Sequence, residues 1–209
     1  MISRPKKIRN IIFDFGDIFI DLDKPATMKE LRRIGYEKPT EEMSQLAMDY
    51  EKGLVSSAFF DQELQRMIPQ AQPDQIKNAW NAILKDIPAY RLEFLRKLKV
   101  SQEYELFLLS NTNEWHIDFV KEKMGTNAFA EFKGFFKGFY LSYEMLKRKP
   151  DIEIYEQLLE QEGLRPEETL FIDDTKENTD SAELLGIQTW NLLVGQEDII
   201  DLHKHLSLA

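Results

Sequence analysis

The stretch Ile11–Asp23, IIFDFGDIFIDLD, constrains the chain more than any other. Ile11, Ile12 and Phe13 make a short apolar run, which suits a strand buried on both faces. Asp14 ends the run, and Gly16 lets the backbone turn sharply two residues later. A carboxylate at the C-terminal end of a buried strand stands where open α/β sheets bind their ligands. Alone, Asp14 could equally cap a turn. Three later stretches bear on that choice.

The chain has 209 residues, of which 43% are hydrophobic, enough for a packed core with a sizeable insertion. It has no cysteine, which excludes disulfides, thiolate metal sites and cysteine nucleophiles and fits a reducing compartment. The opening MISRPKKIRN is basic but leads into only a short apolar run containing Asp14. It reads as neither signal peptide nor membrane span, so a cytoplasmic location is expected. A formal charge of -10 argues against nucleic acid as the main partner. A small phosphorylated substrate stays open, because a local pocket can be basic or hold a metal. The sequence leaves the oligomeric state open.

Ile8 to Phe13 is the first predicted strand. From Lys24 to about Leu84 the periodicity is helical. Met28, Leu31 and Ile34 mark one helix, stopped near Gly35. Met43, Leu46, Ala47 and Tyr50 follow i, i+3, i+4, i+7; Phe60, Leu64 and Met67 repeat the pattern, as do Ile76, Trp80 and Ile83. Pro69, Pro73 and Pro88 punctuate them. Four helices are therefore expected between the first strand and the rest of a sheet. A helix over Pro88–Lys99 follows, with Leu92, Leu95 and Leu98 inward. Further strands are expected at Tyr104–Leu109, Phe136–Ser142, Thr169–Ile172 and Ile187–Trp190. The helices between and after them are Glu114–Lys123, Asp151–Glu162, Glu177–Leu185 and Asp198–Leu206. Strand and helix in alternation imply an α/β fold with a parallel sheet covered on both faces.

The predicted strands end in polar marks: Asp14, Ser110 and the pair Asp173-Asp174, with Lys149 just before a helix. In a parallel sheet these ends share one edge. Two ionised carboxylates about 5 Å apart repel by roughly 3 kcal/mol at an effective dielectric near 20. Without a cation one of them should hold a proton. A hard dication removes the conflict, and magnesium prefers such oxygens. Lys149 can hold Asp14 ionised and meet an incoming anion. Ser110 and the amide of Asn111 open a helix N-terminus, suited to phosphate oxygens. Taken singly each has a plainer reading: Ser110 a helix cap, Lys149 a solvated lysine, the acidic pair a loop before a helix dipole.

Four motifs in order, DFGDIFIDLD, LLSNTN, KRKPDIEIY and FIDDTKENTDSAELLGIQTW, resemble those of the haloacid dehalogenase-like hydrolase superfamily. With YEKG and AWNAIL in the insertion, the chain looks most like its C1-capped, glucose-1-phosphate phosphatase-like branch. The resemblance implies a Rossmann-like parallel sheet flanked by helices, with an inserted four-helix cap. Residues 1–22 and 88–209 would form the core and 23–87 the cap. It implies a Mg2+-dependent phosphatase acting on a small phosphorylated metabolite, such as a sugar 1-phosphate. Asp14 would be the nucleophile and form an aspartyl-phosphate. Asp14, the carbonyl of Gly16 and Asp174 would hold the metal, with Asp173 close by or acting through water. Ser110, Asn111 and Lys149 would bind the phosphoryl group. Competing readings are a 2-haloacid dehalogenase and a non-catalytic phosphate-ligand binding protein.

Two departures stand out. Most phosphatases that the chain resembles carry a second aspartate two residues after the nucleophile, to protonate the leaving oxygen. Here Gly16 stands there, as it does in the sugar-phosphatase branch. The position Leu146 holds is usually glycine, so its side chain must find room near the site. Glu51 to Ser57 resembles a substrate-specificity loop but could be a plain helix–helix turn. Trp80 reads as cap core, His116 as structural, and Asp17 and Asp21 as possible supports for the nucleophile. Hinges are expected near Asp21 to Pro25 and Asp86 to Pro88.

Overall fold

A computed structural model describes residues 7–208, with the side chains of 207 and 208 left aside. The start of the basic N-terminal run lies outside the described residues.

The first strand, β1 (Asn10–Phe13), is buried along its whole length. Four helices follow: α1 (Ala26–Arg33), α2 (Glu41–Glu51), α3 (Ser57–Met67) and α4 (Pro73–Asn81). Then come α5 (Ala89–Ser101), β2 (Glu105–Ser110), α6 (Glu114–Met124) and α7 (Thr126–Gly134). The chain goes on through β3 (Gly138–Leu141), the single turn α8 (Ser142–Met145), α9 (Ile152–Glu162) and β4 (Thr169–Asp173). It ends with α10 (Lys176–Glu183), β5 (Gln188–Asn191) and α11 (Leu202–Leu208), the last entered through a tight 3-10 turn. All five predicted strands and the four-helix insertion are present within a few residues of their expected ends. One helix is new. Nothing in the sequence was assigned between Lys123 and Phe136, where α7 buries Phe129 and Phe132. Its two inward rings and the glycines at its ends, Gly125 and Gly134, hide its period.

The sheet is wholly parallel, in the order β3-β2-β1-β4-β5. The chain runs outward from β1 on one side through β2 and β3, then returns to β4 on the other. Strand order therefore reverses beside β1, the place where such sheets bind ligands. Alternate residues feed two cores. Ile11, Phe13, Leu106, Leu108, Leu170 and Ile172 face one layer. Ile12, Phe107, Leu109 and Phe171 face the other, against Ile154, Tyr155 and Leu158 of α9. A phenylalanine cluster built from Phe13, Phe15, Phe19, Phe132 and Phe136 closes the first layer beside α7.

The inserted helices have a core of their own, centred on Phe60. Its ring stacks on Tyr50 at 4.1 Å and meets Trp80 edge-on at 4.8 Å. Trp80 is buried there, as expected. Trp115, from α6, enters the same cluster, 5.2 Å from Phe60, so the insertion is seated on the sheet's own helices. Two linkers join the insertion to the sheet, and they pair with each other. Asp21 N–H donates to Asp86 O (3.0 Å), Lys85 N–H to Asp21 O (2.9 Å) and Asp23 N–H to Ile83 O (2.8 Å), around an antiparallel Leu22–Leu84 bridge. Arg91, buried on α5, anchors this ribbon through Asp21 (2.8 Å) and ties it to Asp198 (3.0 Å). Asp21 thus belongs to the paired linkers and not to the strand-end cluster. Among the described residues no helix is long and apolar enough to cross a membrane.

Truncating Phe60 to alanine removes the ring that four helices share. We expect Phe60→Ala to cost about 3–5 kcal/mol of stability, measured by urea denaturation followed by circular dichroism.

Candidate active site

Strand register brings the polar marks together. Phe13 lies opposite Leu108 on β2 and Ile172 on β4. The next residues, Asp14 and Asp173, therefore leave the sheet side by side, and Asp14 N–H donates to Ile172 O at 2.9 Å. Ser110, the last residue of β2, pairs in register with Leu141 and is buried. Asp14, Asp173 and Asp174 each offer an oxygen, all within 4.8 Å of one another.

Lys149 lies beneath this group, only 1% exposed. Its ammonium donates to Asp14 Oδ1 (2.7 Å), Asp173 Oδ2 (2.6 Å) and the carbonyl of Leu109 (2.9 Å). All three N–H donors are thereby spent, so Lys149 offers an incoming anion charge and not a spare hydrogen bond. Asn111 fixes the lysine's backbone: its Oδ1 accepts from Lys149 N–H and its Nδ2 donates to Lys149 O, both at 2.8 Å. The Asn111 side chain is therefore a clasp, which leaves its backbone amide for a ligand. Asp173 also accepts from Asn178 Nδ2 at both oxygens (3.0 Å each) and from Thr175 N–H (2.8 Å).

Two expectations need correction. Burial pushes the Asp14 carboxyl up to about 7, against the pull of Lys149 and helped by the charge of Asp173. Lys149 alone therefore does not hold Asp14 ionised below neutral pH. Nor does Ser110 start a helix: α6 begins at Glu114, capped by Asn113, whose Oδ1 accepts from His116 N–H at 3.1 Å.

The site has a second cation that the sequence reading passed over. Lys24, just past the paired linkers, places Nζ 2.6 Å from Asp174 Oδ2 and 3.0 Å from Asp17 Oδ2. Asp17 is buried with φ at 55°, and its Oδ1 accepts from Leu22 N–H at 3.0 Å. Four carboxylates thus face two ammonium groups, a balance two charges short. Hard oxygen donors converging with that deficit fit a dication such as Mg2+.

Around this centre the remaining candidates fall into place. A Cβ on Gly16 would come within 2.7 Å of Leu22 Cδ1, so Leu22 fills the space a side chain there would need. Leu146 finds room by leaving: it is 59% exposed, at φ 57°, the left-handed backbone its glycine counterparts adopt freely. His116 is structural, stacked near Trp80 with its ring 3.4 Å from the Trp80 carbonyl, and burial lowers its pKa to about 4. The loop after α2 rests on the segment leading into Lys149. Glu51 pairs with Arg148 (3.1 Å), Lys52 with Asp151 (2.8 Å), and Gly53 is pressed on the Tyr143 carbonyl, where a Cβ would sit 2.0 Å away. Sequence reasoning missed Lys24, an ordinary-looking linker lysine, and Asn178, though Asn178 lies in the fourth motif and on the inner face of α10.

The model of one protein family, haloacid dehalogenase-like hydrolase, matches residues 11–192. The chain belongs to that family. Among solved structures, a haloacid dehalogenase family enzyme from Bacteroides thetaiotaomicron is 35% identical, with 92% of this chain and 97% of that one covered and a TM-score of 0.82. The same enzyme in complex with magnesium and inorganic phosphate matches at 34% identity and TM-score 0.79, covering 91% and 96%. A predicted haloacid dehalogenase-like family hydrolase from Porphyromonas gingivalis is 33% identical, covering 96% and 98%, with a TM-score of 0.83. Among curated proteins, the D-ribitol-5-phosphate phosphatase of Bacteroides thetaiotaomicron is 25% identical, covering 88% of this chain and 91% of its own. At these TM-scores and coverages the matched structures share the fold of this chain.

Removing Lys149 strands a buried carboxylate that burial already disfavours. Lys149→Met is expected to destabilise the protein by about 3–5 kcal/mol at pH 8. Without the lysine, Asp14 stays protonated in the folded state to a higher pH, while the unfolded carboxyl ionises near about 4. The deficit should therefore grow as pH rises and shrink toward pH 5, read from urea melts at both values.

Proposed function

We propose that the chain is a Mg2+-dependent phosphatase that hydrolyses small phosphorylated metabolites through an aspartyl-phosphate on Asp14. The observation that carries this reading is Asp14 at the end of the central strand, within 4.8 Å of Asp173 and Asp174 and bonded to a buried lysine. Asp14 attacks phosphorus, and water later cleaves the acyl phosphate. Asp14, Asp174 and the Gly16 carbonyl hold the metal, with Asp173 beside it or acting through water. Bound there, magnesium supplies charge neutralisation for phosphoryl transfer. The hydroxyl of Ser110 and the amide of Asn111 receive phosphoryl oxygens, while Lys149 lowers the cost of gathering negative charge. Residues 1–22 and 88–209 act as the core, and 23–87 as a cap that shelters the reaction from water. A cytoplasmic enzyme without cysteine fits the reading.

Support comes from the curated relative named for ribitol 5-phosphate and from the magnesium and phosphate complex of the Bacteroides enzyme. Gly16 favours a substrate whose oxygen leaves easily, such as a sugar 1-phosphate, in keeping with the resemblance to the glucose-1-phosphate phosphatase-like branch. The relative's name favours an ester of a primary alcohol, with a poorer leaving group. Gly16 also keeps a second class in view, a phosphate-ligand binding protein without turnover. A 2-haloacid dehalogenase fits less well, since the acidic cluster suits a dication.

A Mg2+-supplemented screen of phosphorylated metabolites, read as free phosphate, tests the proposal. Turnover is expected, lost to background in EDTA and in Asp14→Asn. Sugar 1-phosphates should exceed simple alkyl phosphates by about tenfold or more, a fraction of what general acid catalysis supplies. Equal rates would remove the sugar 1-phosphate assignment, and silence across the panel would favour the binding reading.

A further inference from the structure

We propose that Lys24 stabilises the leaving oxygen, the task that Gly16 leaves without a side chain, and that Asp17 is its positioning residue. The inference rests on the phosphatase reading above.

The two lysines of the site differ in what they can still bond. Lys149 is sealed under the cluster with every N–H spent. Lys24 is 58% exposed and donates to two carboxylates, Asp17 and Asp174. Among the described residues its third N–H has no protein acceptor. The floor of the site is packed by Lys149 and the strand ends, so the alcohol half of an ester has to extend toward the exposed rim. Lys24 stands on that rim.

Its place is built and not accidental. The linker ribbon that ends at Asp23 is hydrogen-bonded on both sides of Leu22. Asp17 takes a left-handed backbone, which aspartate adopts more readily than most residues other than glycine and which is uncommon enough to mark a built position. That conformation aims one oxygen at the ribbon, through Leu22 N–H, and the other at the Lys24 ammonium. Asp17 thereby fixes both the base and the tip of the same lysine.

The step balances without a carboxylic acid. As an oxygen of Asp14 bonds to phosphorus, the ester P–O bond breaks and its electron pair stays on the alcohol oxygen. Lys24 donates a hydrogen bond to that oxygen and remains an ammonium. The alcohol's proton comes from water at the rim. The hydroxide so formed then cleaves the acyl phosphate, which returns the Asp14 carboxylate and releases inorganic phosphate.

The test is the dependence of kcat/KM on leaving-group pKa, from p-nitrophenyl phosphate to alkyl phosphates, with Mg2+ present. Lys24→Met should lower alkyl phosphate turnover by about 10²-fold more than p-nitrophenyl phosphate turnover, the scale of one lost oxyanion donor. Asp17→Asn should steepen the dependence in the same direction by a smaller factor, and Lys24→Arg should restore part of it. Mg2+ affinity, by titration calorimetry, should stay within a few-fold. Loss spread equally over the series, no loss at all, or a Mg2+ affinity weakened more than tenfold would each overturn the assignment. Thermal melts establish that the variants are folded; should Lys24→Met fail to fold, the slope for Asp17→Asn decides. Wild-type protein inert toward p-nitrophenyl phosphate would sink the phosphatase reading and this inference together. An active wild type whose slope Lys24→Met leaves unchanged would sink only the inference.

Discussion

The buried ammonium of Lys149 is the contact on which the rest of the centre depends. Three strand ends of one parallel edge supply its acceptors: Asp14 after β1, Leu109 on β2 and Asp173 on β4. A lysine placed this deep in a protein is unfavourable unless it is paired and fully hydrogen-bonded. Here the pairing also solves the opposite problem, the crowding of carboxylates that register alone would impose. Asn111 and Asn178 hold the two sides of that bargain, one gripping the lysine's backbone, the other saturating Asp173. Each partner belongs to a different element of the fold.

Charge sets what the site can accept. Two ammonium groups do not balance four carboxylates, and Asp14 holds a proton more tightly than usual, first through burial and then through the charge of Asp173. A hard dication and a phosphoryl group are complementary answers to one imbalance. The cation relieves the acids, and the neutralised acids tolerate a dianion nearby. The insertion adds a rim with its own charges. Glu51 and Lys52 pair with Arg148 and Asp151 at the loop that delivers Lys149, so cap placement and lysine placement are physically joined.

Much of this was legible in the chain. Apolar runs that end in Asp14, Ser110 and Asp173 could be read because parallel strands are buried on both faces and their polar ends are therefore conspicuous. The four inserted helices could be read because each repeats its apolar face at helical spacing. What escaped notice lacked such a period or depended on direction. Helix α7 offers two inward rings between glycines. Leu146 was expected to crowd the site, and only the left-handed backbone turns it to solvent. Lys24 looks like any linker lysine until the ribbon pairing aims it, and no local pattern encodes that pairing. The helix cap at Asn113, three residues after the one anticipated, shows the usual ambiguity among adjacent short polar residues, any of which can bind a free backbone N–H.

The paired linkers have a mechanical corollary. Two tethers laced side by side cannot slide past each other without tearing their mutual bonds, so shear is stiff while bending across the ribbon is soft. The paired linkers therefore fix the lengthwise register of the four-helix body against the sheet. Because alternate residues of an extended strand point to opposite faces, adding one residue to either tether would turn the neighbouring side chains to the wrong face. The lengths of the two tethers are therefore constrained together.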